Sequence, residues 1–294
     1  MPAPSSCRAT ALLQARLLMW CLTALLGLGG LLLLNGCASG RQQAAQLAQA
    51  GGFSPVRFET QPYVLLGWLK PGQGRVLYVY IEGDGFAWIR ANRPSSDPTP
   101  TNPVSFRLAL ADPTTGPVLY LARPCQYTED EDRQGCSVAD WTYARFSERA
   151  VGALDAAINL AKARVCADSV ALHGYSGGGG MAALLAARRQ DVVFLGTVAG
   201  NLDHKLWTSL HGDSPLSESL NPVETAAATR NIPQLHVVGG KDDVVPVAIL
   251  DSWCRRLPGA DFTRITLPKL GHNGPWEGFW PDLLRQTRKP WRPR

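Results

Sequence analysis

The stretch "SVALHGYSGGGGMAALLAARR", residues 169–189, constrains this chain more than any other. A short β-branched and apolar run stops at a glycine, and an Ala/Leu-rich helical run starts four glycines later. Such a strand–turn–helix unit belongs to a sheet covered by helices, because its strand has no polar face to give to water. The turn itself, Gly174-Tyr175-Ser176-Gly177-Gly178, fits G-x-S-x-G. That pattern holds a serine on a sharp bend, with small neighbours leaving room for the backbone. The helix that follows aims its N-terminal amides and the positive end of its dipole at the same point. A phosphate loop is excluded, since it needs Lys-Ser/Thr after the glycines and Met181-Ala182 stand there. A dinucleotide fingerprint also fails, because no acidic residue ends a second strand about twenty residues on.

The rest of the body repeats the alternation. Candidate strands cover 63–69, 76–82, 118–122, 169–174, 192–198, 234–239 and 262–267, with helical windows near 103–111, 145–164, 177–190, 247–257 and 276–288. The pattern predicts one α/β domain over 53–294, with helices on both faces of a mostly parallel sheet. The segment 200–233 leaves space for only a short cap.

Two further residues turn the serine motif into a constellation. After the strand "QLHVVG" comes "GKDDVVP", and after "FTRITL" comes "PKLGHNGPW". The order Ser176, Asp242, His272 places an acid and a histidine at the carboxyl ends of later strands, where open α/β sheets build their sites. Asp243 and Asp203 are rival acids. Gly177 offers an oxyanion N–H directly after the serine. His236 reads as a core residue, His173 as a brace for the turn, and His204 and His211 as cap residues. The carboxylates Glu82 and Asp84 are discounted as a glycosidase pair.

"GYSGGG", "GKDDVVP" and "LGHNGPW" resemble the three motifs of the α/β-hydrolase superfamily. "YIEGDGFAW", "YLARPCQY" and "AGNLDHKLWT" resemble a group of bacterial lipoprotein hydrolases over roughly residues 60–285. The resemblance implies an α/β-hydrolase fold with a mostly parallel sheet of about seven to eight strands and a short cap. It makes Ser176 the nucleophile, Asp242 the acid and His272 the base of a serine hydrolase that needs no cofactor and no metal. "EGDG" stands where His-Gly is common, leaving the second oxyanion donor open between the N–H groups of Asp84, Gly85 and Phe86. Phe86, Trp88 and Trp207 are either an apolar acyl pocket or core aromatics. The expected substrate is a small or lipid-like carboxylic ester. A periplasmic peptidase or amidase, and a non-catalytic binding protein, are the alternatives.

Residues 1–36 are of another kind. Arg8 and Arg16 precede an apolar run from Leu17 to Leu34, which closes in "LNGC". A basic n-region, an apolar h-region and a small residue before the break describe a secretory signal. Leu34-Asn35-Gly36-Cys37 resembles a bacterial lipobox, which implies acylation (a palmitate-type anchor) on Cys37 and cleavage before it. Ala38, not Asp, implies the outer membrane facing the periplasm. An uncleaved span is the alternative; both tether the body to a membrane. Residues 37–52, Ala/Gln-rich, read as the tether, with a helix as one form it can take. Four cysteines then remain in the exported body, and the pairs Cys125–Cys136 and Cys166–Cys254 are expected, free thiols being the alternative for the second. The net charge of +5 is too dispersed for a nucleic-acid partner, and its one cluster, "RQTRKPWRPR", reads as a solvated tail, with contact to anionic lipid headgroups as the alternative.

Overall fold

In the computed structural model, residues 39–287 are described. The signal at 1–36 and Cys37 lie outside them. Eight strands form one sheet: β1 (Ser54–Glu59), β2 (Val64–Lys70), β3 (Val76–Ile81), β6 (Val118–Leu121), β7 (Ser169–Tyr175), β8 (Val192–Val198), β9 (Gln234–Gly239) and β10 (Phe262–Leu267). A two-stranded ribbon, β4 (Trp88–Arg90) and β5 (Arg93–Pro94), stands apart. The sheet order is β1-β2-β6-β3-β7-β8-β9-β10. Only β2 runs against the rest, antiparallel to both β1 and β6; every pair from β6 to β10 is parallel.

Alternating strand residues feed two apolar layers, as a period of two requires. On β3, Leu77, Val79 and Ile81 face one layer and Tyr80 the other. The first layer receives α3 (Glu148–Arg164), α4 (Gly177–Arg188) and α6 (Val247–Arg255). The second receives α1 (Gly40–Gly51), α2 (Val104–Ala111) and α7 (Trp280–Thr287). Helix α4 is buried from Gly177 through Ala186. Its glycines let it lie directly on the sheet: a Cβ on Gly178 would stand 2.2 Å from the Ile81 carbonyl oxygen.

The expected tether is instead part of the body. Residues 40–51 form α1, whose Ala44 and Ala48, one turn apart, are buried with Phe53 and Phe106. Arg41 adds hydrogen bonds to Glu129 and to the Thr128 carbonyl. The folded unit therefore begins at Gly40 and not at Phe53.

Cys125 and Cys136 are disulfide-bonded, with Cα atoms 5.8 Å apart. The other expected pair does not form, and Cys166 and Cys254 are free thiols. Cys166 lies just before β7, whereas Cys254 lies on α6, the helix that leads into β10. Those strands are three spacings apart, roughly 14 Å, which is about twice the reach of a disulfide.

Candidate active site

Ser176 caps α4 at the carboxyl end of β7 in the left-handed region, with φ of 52°. For a non-glycine residue this conformation costs about 1–3 kcal/mol. It is held on both sides: the Ser176 N–H donates to the Val198 carbonyl (3.0 Å), and the Ser176 carbonyl accepts from Gly179 and Asn201.

The structure brings Ser176, His272 and Asp242 together. His272 Nε2 is 3.0 Å from Ser176 Oγ, and its Nδ1 is 2.9 Å from Asp242 Oδ2. Asp242 is buried, and its Oδ1 accepts the amides of Val244 (3.0 Å) and Val245 (2.7 Å). Its lone pairs are thus divided between a loop that fixes it and a ring that it can orient. The His272 carbonyl is held by the Tyr175 hydroxyl (3.1 Å) and by Trp276 Nε1 (2.7 Å), so the residue before the serine and a buried tryptophan set the histidine loop.

The rival acids are elsewhere. Asp203 caps α5 (His204–His211) and accepts from Asn221 Nδ2 (2.9 Å) and Ser252 Oγ (2.6 Å). Asp243 is exposed and makes no bond to His272. His236 is buried between Thr197 and Gln234, and His173 is stacked flat on Tyr80. His204, read as a cap residue, is buried and stacked on Phe146. His211 remains in the cap: its Nε2 lies 3.0 Å from the Val244 carbonyl, which also accepts Trp207 Nε1 at 2.6 Å.

Among the donors considered for an oxyanion, Phe86 drops out because its amide is bonded to the Pro98 carbonyl (3.0 Å). Gly83 is likewise engaged, by Glu82 Oε1 at 2.8 Å. The amides of Asp84, Gly85 and Gly177 make no hydrogen bond among the described residues. The loops carrying them touch, since a Cβ on Gly177 would meet Asp84 Oδ1 at 2.0 Å.

Beneath this loop lies an ion-pair cluster that sequence reasoning missed. Arg123 Nη1 donates to Asp84 Oδ1 (2.6 Å) and Arg145 Nη1 to Asp84 Oδ2 (2.5 Å), both guanidinium groups being buried. Burial alone would raise the Asp84 carboxyl, but Arg145 and Arg123 outweigh it and hold it below the usual carboxylate range. Next to it, burial pushes the Glu82 carboxyl up to about 6, against hydrogen bonds from Gly83 and Tyr120. The available signal was an arginine at the carboxyl end of a core strand, "LARP", where a lone charge would be too costly to bury.

Ser176 opens into a cleft of about 780 Å³, within the range of small-molecule sites. Phe86 and Trp88 line it and are 43% and 38% exposed, so they are not core aromatics. Trp207 and Val244 close the cap side. Among the described residues no group of three His, Cys, Asp or Glu converges to hold a metal ion.

No family model and no curated protein matches the chain. Solved structures do. An acylaminoacyl peptidase from Pyrococcus horikoshii is 13% identical with a TM-score of 0.58, over 82% of this chain and 42% of its own. The chain thus spans about two-fifths of that protein's length. An α/β serine hydrolase homologue from Coxiella burnetii is 16% identical, TM-score 0.54, over 80% of this chain and 97% of its own. A serine hydrolase without lid from Xanthomonas campestris is 15% identical, TM-score 0.54, over 82% and 97%. With its eight-stranded, mostly parallel sheet, helices on both faces and the serine turn between β7 and α4, the chain has the α/β-hydrolase fold.

Proposed function

We propose that this protein is a serine hydrolase that cleaves carboxylic esters through an acyl-enzyme, tethered to the bacterial envelope by its N-terminal segment. The observation that carries the reading is the continuous chain Asp242–His272–Ser176, joined at 2.9 and 3.0 Å and open to a cleft. His272 Nε2 takes the Ser176 proton as Oγ bonds to the ester carbonyl carbon, while Asp242 holds the ring and stabilises its cation. The oxyanion that forms takes the N–H of Gly177 and that of Asp84 or Gly85. As the carbonyl re-forms, the C–O bond to the alcohol breaks and His272 returns the proton to it. Water, deprotonated by the same histidine, then releases the acyl group as a carboxylic acid. Cap and cleft favour an acyl chain, because Phe86, Trp88, Trp207 and Val244 offer apolar walls.

Peptide cleavage is the second reading, supported by the likeness to the Pyrococcus peptidase, which this chain matches over two-fifths of that protein. A fluorophosphonate probe tests the serine. Wild type is expected to gain one adduct by intact mass, and Ser176→Ala and His272→Ala none. An unlabelled, folded wild type overturns the reading and leaves a binding protein. A panel of p-nitrophenyl esters and aminoacyl amides then separates the two enzymes; turnover of amides alone would exclude the esterase.

A further inference from the structure

Large apolar side chains are unevenly exposed on this molecule. Of the nine among the described residues, Phe86, Trp88, Tyr143 and Val244 line the Ser176 cleft. Two more flank it: Ile89 beside Trp88, and Leu210 one turn along α5 from Trp207. Exposed apolar groups gathered in one place mark an interaction surface, whereas scattered ones do not. Two arginines on the same ribbon, Arg90 and Arg93, are exposed and form no ion pair among the described residues. Aromatic and aliphatic side chains with free arginines are the composition of a surface that meets lipid headgroups.

The route of the chain identifies what the surface meets. Helix α1 starts at Gly40, packed so tightly that a Cβ there would stand 2.2 Å from the Pro100 carbonyl oxygen. Pro100, Thr101 and Asn102 form a wall of the cleft. The same strip holds the oxyanion loop, through the Phe86 amide on the Pro98 carbonyl. Cys37 precedes Gly40 by three residues, a reach of at most ~11 Å. The chain therefore enters the folded body at Gly40, beside a wall of the cleft.

We propose that the apolar rim of the Ser176 cleft lies on the bilayer that anchors the protein, and that the substrate is an acyl glycerolipid drawn from that bilayer. This rests on the serine hydrolase reading above. The lipid's ester C–O bond breaks with one water consumed, giving a fatty acid and an alcohol. The rim replaces a lid: membrane covers the cleft, and the acyl chain crosses from bilayer to Phe86 and Trp88 without passing through water.

The test places the full-length chain in vesicles of phosphatidylethanolamine and phosphatidylglycerol with brominated acyl chains. Bromine quenches tryptophan at contact, so the difference between wild type and Trp88→Phe reports Trp88 alone. Trp88 emission is expected to be largely quenched. Ile89→Ser/Leu210→Ser is expected to lower fatty-acid release from the vesicles by roughly tenfold or more, while hydrolysis of soluble p-nitrophenyl butyrate stays within about twofold. Unquenched Trp88 overturns the proposal, and so does equal loss on both substrates. A concentration-dependent dimer that shields Trp88 assigns the rim to a second copy and also overturns it. If wild type hydrolyses neither substrate, the hydrolase reading fails and the lipid substrate with it, while the quenching still decides whether the rim lies on the bilayer.

Discussion

Two halves of the site are built in different ways. In the Ser176–His272–Asp242 half, Asp242 is fixed by main-chain amides two and three residues on, and Ser176 by its own turn together with the main chain of Val198 and Asn201. The oxyanion half depends on distant partners. Asp84 is held by Arg123 and Arg145, 39 and 61 positions away, in a buried cluster. The acid of the first half thus rests on main-chain amides, whereas the carboxylate of the second rests on two buried charges of the core. Removing a charge should therefore have different consequences in each.

The largest expected effect is in the half that carries the acid. Asp242→Asn should lower kcat by about 10⁴-fold, because the ring loses its orienting carboxylate. Its Tm should stay close to wild type, since an asparagine oxygen still accepts the Val245 amide. Steady-state kinetics beside thermal unfolding check both. In the distant half, Asp84→Asn leaves two buried guanidinium groups uncompensated, with an expected loss of about 3–5 kcal/mol. Misplacing one oxyanion donor should also lower kcat by about 10²–10³-fold. If Asp84→Asn unfolds like wild type in urea, the division between the halves is broken.

The smallest effect sharpens the same comparison through pH. The Glu82 carboxyl titrates near 6 when folded, above its ordinary 4.5, so the folded state holds its proton more tightly. Its stabilising contribution is complete below about pH 4.5 and is lost as pH rises through 6, on the order of 2 kcal/mol. Denaturation of wild type from pH 4.5 to 7 should show that decline, and Glu82→Gln should flatten it. A parallel decline in both would assign it to another group.

The same contrast explains what was legible beforehand. Ser176, Asp242 and His272 sit in motifs a few residues long, and the strands and helices that carry them show the periods of their burial. The clamp of Arg123 and Arg145 was hidden, because nothing local reveals that two arginines share one carboxylate. The packing of α1 leaves little signal, because its apolar face is two alanines among glutamines, too weak for composition but enough against Phe53 and Phe106. Cys166 and Cys254 were paired by elimination; strand order, a long-range property, separates them. The Phe86 amide was lost to Pro98, a partner in a loop with no periodic signal.

Val244 gives the cap a further meaning. Its N–H is bound by Asp242, and its carbonyl is bound by Trp207 and His211 of α5. One residue, through the two peptide units that flank it, thus links the acid to the cap helix α5. The cap is therefore not an interchangeable module: a lineage that replaced α5 to admit a new substrate would loosen the acid loop in the same step. The residue that makes this link lies inside "GKDDVVP", so the motif that carries the acid also ties it to the cap.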